Sequence, residues 1–189
     1  QARAEIVEKG SKGKANDTII LKSDLKEVKN QTVKAVDIAK GEVVDIPVQF
    51  YSASEAYSTM ERVRPNAYIL PPAYHNIAEK LTMQGAQVQK LEKDQELTVE
   101  CYHVEDHATE VVKDQVLHNV TTKIEEKTVF FPKGSYVISC AQPAANIISL
   151  ALEPESSASY VTNNYFPITM GNEIPVYRYM EELNMPLEN

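Results

Sequence analysis

A chain of 189 residues with 43% apolar and 24% charged residues carries enough hydrophobic material for one domain with a sizeable core, and this is not the composition of a disordered polypeptide. Its 27 acidic against 19 basic residues give a net charge of -8, which argues against a nucleic-acid surface, because such a surface needs clustered Lys and Arg. No run approaches the roughly 20 apolar residues of a membrane span, and two cysteines, Cys101 and Cys140, outside any C-x-x-C pair, encode neither a disulfide scaffold nor a thiolate zinc knuckle.

In chain order, ARAEIVEKG reads as one short helix, and SKGKAND is the charged, glycine-containing break that ends helices and begins linkers. With neither an initiator Met nor an apolar leader, Gln1 is expected to be an internal position of a longer protein. Residues 43–52, rich in β-branched and aromatic side chains, read as a strand that Pro47 pushes toward a sheet edge. Residues 1–42 are therefore expected to be a lead-in, and 43–189 a single domain. The apolar run at residues 67–70 meets Pro71 and Pro72. Ile77 and Leu81 follow at helical spacing, Gly85 supplies the helix stop, and alternation resumes at residues 88–91. This is the pattern of a short β-α-β unit.

The segments ELTVECYHV and EVVKDQVLHNVTTKIEEKTVFF alternate with period two and predict an antiparallel hairpin over residues 96–131. A second strand-to-helix step follows: residues 136–140 are nearly all apolar, and Ile147, Ile148, Leu150 and Leu152 lie on the next helix, with Pro143 in its first turn. IPVYRYMEE adds one more strand. These elements predict an α/β fold with a mixed sheet. The β-α-β unit and the Tyr136 step form a short parallel centre, and the hairpin extends its edge. The strand at 136–140 is expected to be buried, with Ile147, Ile148 and Leu152 covering it.

The candidate chemistry is sparse. His107 and Glu110 make an H-x-x-E spacing, with His103 four residues upstream. A catalytic zinc needs three protein ligands and an open position, and neither His75, His103 nor His118 completes an H-E-x-x-H. The pair reads as solvated polar residues at a strand end, with a zinc half-site as the alternative. Cys140 sits at a strand-to-helix turn, where a nucleophile can stand. The turn reads C-A-Q-P, however, and its proline removes an N–H that an oxyanion hole could use, so a core thiol is the default. No phosphate loop, dinucleotide fingerprint or nucleophile elbow is present. YVTNNYF and VYRYM offer tyrosines for a binding surface, or for packing with a wet tip. Asn16, Asn30 and Asn119 begin N-x-S/T sequons.

The stretches RPNAYILPPAYHNIAEKLTMQGAQVQKLE and FFPKGSYVISCAQPAANIISLALEPESSASYVTNNYF resemble the region that follows the catalytic domain in a subset of large bacterial zinc carboxypeptidases, the carboxypeptidase A-like metallopeptidases. The densest part of the likeness is Pro132, Gly134, Tyr136, Val137, Gln142, Pro143, Asn146 and residues 152–156, within a resemblance over roughly residues 43–166. It implies a non-catalytic accessory domain whose partner is the upstream catalytic domain of the same polypeptide. That domain would hold the zinc, and the setting would be extracellular or periplasmic; no cofactor is expected in this chain. The family's H-x-x-E, its distant third histidine and its general base lie in that upstream domain, and no histidine follows His118 here. Gln142, Pro143, Glu153 and Glu155 are the expected contacts to it, or else they stabilise a turn and a helix end. Two rival readings remain: a small hydrolase using Cys140, and a peptide- or carbohydrate-binding module.

Overall fold

The computed structural model describes residues 17–188, so the helix expected at residues 2–10 lies outside the described residues. The first two elements, β1 (Thr18–Asp37) and β2 (Glu42–Val63), pair only with each other, as a long antiparallel hairpin. The strand expected at residues 43–52 is the distal half of β2, and the expected boundary between residues 42 and 43 falls within this hairpin. Ile19 and Leu21 in β1 are buried, whereas the other described side chains of the ribbon are exposed or half-buried on both faces. Its closing loop places Gly41 at φ 69°, and the Asp37 carbonyl accepts from the Lys40 and Gly41 amides at 3.2 and 2.7 Å.

The body that follows consists of β3 (Ala67–Leu70), α1 (His75–Met83), β4 (Gln89–Leu91), β5 (Gln95–Val112), β6 (Gln115–Phe131), β7 (Tyr136–Ser139), α2 (Ala145–Leu152), β8 (Glu173–Tyr179) and β9 (Leu187–Glu188). Its seven strands form one sheet in the order β6-β5-β8-β3-β7-β4-β9, and every pairing is antiparallel. The expected α/β fold with a parallel centre is therefore incorrect. Both strand-helix-strand crossovers exist, but neither joins neighbours. The β3-α1-β4 crossover steps over β7, and the β7-α2-β8 crossover steps over β3, so the strands within each crossover run the same way with an opposed strand inserted between them. This pair of interleaved split β-α-β units is the ferredoxin-like arrangement, with the β5–β6 hairpin inserted between its second and third strands.

The sequence pattern misled because a continuous apolar run reports burial on both faces rather than strand direction. Tyr68, Leu70, Tyr136 and Ile138 point to the side that α1 and α2 cover, where they meet Ile77, Leu81, Ile148 and Leu152. Ala67, Ile69 and Val137 point to the other side and pack with Leu91, Val99, Cys101 and Phe131. Leu183, Met185 and Leu187 of the C-terminal segment close that second face.

Helix α1 ends as its glycine predicts. Gly85 takes φ 90°, its amide bonds to the Thr82 carbonyl at 2.9 Å, and the Ala86 amide reaches back to Leu81 at 3.0 Å, the paired bonds of a Schellman motif. On α2 the buried stripe is Ala145, Ile148, Ser149 and Leu152, the i, i+3, i+4, i+7 spacing of one helix face. Ile147 lies off that stripe and is 47% exposed, so its expected role in covering β7 is corrected, while Ile148 and Leu152 fill it. The hairpin expected over residues 96–131 is present as β5–β6. Lys113 and Asp114 close it in a two-residue turn with both at positive φ, the arrangement whose twist suits a tight hairpin.

Candidate functional site

The largest concentration of ionisable groups lies under the end of α2, on the helix-covered face of the sheet. The register sets Glu100 of β5, Arg178 of β8 and Tyr68 of β3 on one rung. Above them, Glu153 directly follows the last residue of α2 and is fully buried. One Glu153 oxygen accepts from the Tyr68 hydroxyl at 2.7 Å and lies 3.3 Å from Arg178 Nε; the other accepts from Arg62 Nη1 at 3.0 Å. Arg62, from the last residues of β2, also donates to the Glu155 carboxylate and lies 3.3 Å from Thr122 Oγ1. Glu155 in turn accepts from the Thr122 amide at 2.8 Å, and Arg178 donates to Glu100 and to the Val63 carbonyl.

Two guanidinium groups and three carboxylates thus pair with one another in a largely buried space, which the planar, multi-donor geometry of arginine suits, although Arg178 Nε makes no hydrogen bond there. The Arg62 guanidinium lies 5.4 Å from the centre of the Tyr102 ring. The Tyr102 hydroxyl is buried near the Glu153 carboxylate but outside hydrogen-bonding geometry. Burial, reinforced by that carboxylate, holds the Tyr68 and Tyr102 phenols well above their ordinary 10.0. The cluster binds the root of the β1–β2 hairpin to the body, because Arg62 and the Val63 carbonyl are its two attachments on β2. Breaking such a buried pair from one side is costly.

The residues singled out from sequence lie in separate places. His107 and Glu110 are both on β5, and a separation of three along a strand turns them to opposite faces, so they do not share a ligand sphere. His107 instead pairs across the hairpin with His118, Nε2 to Nδ1 at 2.8 Å with stacked rings. Among the described residues no group of three or more His, Cys, Asp or Glu is placed to hold a metal. Cys140 and Cys101 are free and buried, and burial pushes their thiols up to about 12 and about 11 respectively, the opposite of an activated nucleophile.

Gln142 is buried. Its amide nitrogen donates to the Ser139 and Gln87 carbonyls at 2.7 and 3.0 Å, and its oxygen accepts from the Gln87 amide at 2.7 Å, which stitches the approach to α2 onto the loop after α1. Pro143 beside it is exposed. Glu153 and Glu155 belong to the cluster above. In the two tyrosine segments, Tyr165 is exposed whereas Tyr160 and Tyr179 are buried, and the Tyr160 hydroxyl donates to Gln84 at 2.8 Å. Sequence reasoning did not single out Arg62, Glu100, Arg178, Tyr68 or Tyr102. One signal was present: Arg178 shares the inward period of Ile174 and Val176, and a charge on an apolar face marks a buried, paired group.

No protein-family model matches the chain, and no solved structure matches it. Curated relatives do match. Proteins named carboxypeptidase 2 from Trichophyton tonsurans, Trichophyton equinum and Trichophyton rubrum are each 28% identical over 169 residues, covering 86% of this chain. The chain spans 30% of the length of these relatives. These relatives carry the name carboxypeptidase, as the resemblance does, but they are fungal, which corrects its bacterial placement. A match covering 86% of 189 residues leaves about 26 outside it, so it starts no later than about residue 27 and takes in the distal part of the β1–β2 hairpin.

Proposed function

We propose that this chain is a non-catalytic accessory segment of a longer carboxypeptidase polypeptide, and that it supports a catalytic portion elsewhere in that polypeptide. The observation that carries the reading is the match itself: nearly the whole chain corresponds to less than a third of proteins named carboxypeptidase 2. The chain's own chemistry is consistent with that role. Its concentrated charges are paired and buried, its thiols are raised rather than activated, and its H-x-x-E is split across a strand. A zinc-dependent parent enzyme is the finer reading and rests on the sequence resemblance. The metal's chemistry, activation of a water for attack on the peptide carbonyl, would belong to the catalytic portion.

The test compares this 189-residue chain with the full-length polypeptide on a panel of C-terminal peptide substrates, with and without a zinc chelator. Hydrolysis by the full-length protein, abolished by chelation and absent from the chain alone, is the expected result. Turnover by the chain alone, lost in Cys140→Ala or His107→Ala, overturns it.

A further inference from the structure

The β1–β2 hairpin carries a feature that the body's packing leaves unused. Cross-strand partners share a face, and the pairs Val33–Ile46, Ala35–Val44, Gln31–Val48 and Val28–Phe50 all lie on the same one. Val28 and Val33 are five apart, an odd spacing that would put them on opposite faces of a regular strand. The register shift between Val28 and Gln31 inserts one extra residue, and Asn30 takes φ 59° there, which returns the two valines to one side. A bulge that restores an apolar stripe has a purpose only if that stripe is used. Val33, Ile46 and Phe50 are nonetheless 54%, 46% and 49% exposed. A two-stranded ribbon is marginal in water by itself, and one with an open apolar face is more so.

We propose that this stripe is the docking face for the remainder of the same polypeptide, a proposal that rests on the accessory reading above. The surface it fits is apolar and about 20 Å long, the reach of the seven residues from Val44 to Phe50 at strand rise. At its far end Asp37 and Glu42 oppose each other on the last rung of the same face, and Lys40 of the closing loop answers Asp37 at 3.9 Å, so the apolar stripe rather than charge selects the surface. The relatives supply the occupant. Their match to this chain includes the distal hairpin, and more than two-thirds of their length lies outside it. A partner on the same polypeptide acts at an effective concentration of about millimolar, far above that of a second copy in solution.

Hydrogen–deuterium exchange on the full-length polypeptide tests this. The amides of residues 31–36, 43–46 and 48 are expected to be protected, and the stripe variant Val33→Lys/Ile46→Lys should exchange there about tenfold faster. Val36→Lys/Val43→Lys, on the opposite face, should match the unaltered protein. Equal acceleration by both variants, or no protection in the unaltered protein, overturns the proposal. So does a concentration-dependent dimer of the 189-residue chain in sedimentation that protects the same amides, since the occupant is then a second copy. Peptide hydrolysis is read separately: a protected arm without hydrolysis defeats the carboxypeptidase reading alone, and hydrolysis with an unprotected arm defeats the docking alone.

Discussion

The two sheets of this molecule solve the same problem in opposite ways. The seven-stranded sheet has short central strands, four residues each in β3 and β7, with all but the half-buried Ser139 buried, under helices on one face and the C-terminal segment on the other. The two-stranded hairpin has strands of 20 and 22 residues and is covered at its root only. Length along a strand therefore adds little stability here, whereas coverage across it does. About 25 cal/mol per Å² of apolar area removed from water accrues to the first sheet and hardly at all to the second.

The sharpest way to break this contrast is at the junction. Glu153→Ala leaves Arg62 and Arg178 buried without their shared carboxylate and is expected to cost about 3–5 kcal/mol in chemical denaturation. A loss below about 1 kcal/mol would mean that the cluster is open to water and that the hairpin root is not fixed by it. Next comes the core under α2: Leu152→Ala should cost about 2–5 kcal/mol. Ile147→Ala on the same helix and Val36→Ala on the hairpin should each stay within about 0.5 kcal/mol.

Alkaline pH sharpens the contrast through groups found only in the body. The folded state holds Cys101, Cys140, Tyr68 and Tyr102 above their ordinary values, so it keeps protons that the unfolded chain releases once pH passes the ordinary thiol value of 9.0. More protons bound in the folded state means that stability falls as pH rises; below that value these groups add no slope. The fall should approach about 1.4 kcal/mol per pH unit for each group, seen as a shrinking denaturation midpoint. Hairpin exchange rates, corrected for pH, should not follow it. A modest gain is expected at the β5–β6 turn. Replacing Lys113 and Asp114 with Asn and Gly relieves two non-glycine residues at positive φ and should raise stability by about 0.5–1 kcal/mol.

Much of the local structure was legible in the sequence. Gly85 marked its helix end, period two marked the β5–β6 hairpin, and the strand at residues 43–52 was read where β2 lies. Local pattern encodes which faces are buried, so β3 and β7 were recognised as interior strands. It does not encode which neighbour arrives from 40 or more residues away, and the antiparallel partners of β3 come from β7 and β8. Ile147 failed for a simpler reason: four apolar residues on a short helix cannot all face inward at 100° per residue. At the charged cluster, Glu153 and Glu155 stood out, but only through resemblance. Their cationic partner Arg62 is 91 and 93 residues distant, a separation at which no spacing rule applies.

The place of β8 has a consequence for synthesis. The last long strand of the chain, Glu173–Tyr179, lies between β5 and β3, near the middle of the sheet. As the chain emerges from the ribosome, β3 and β5 have no common neighbour until Glu173–Tyr179 has been made, about 100 residues after β3. For that interval two apolar strands expose unpaired edges, the condition in which nascent proteins aggregate or recruit chaperones. Assembly of the body is thus deferred until β8 has been made, and a ribosome stalled a few residues before Glu173 carries a chain that cannot close its sheet.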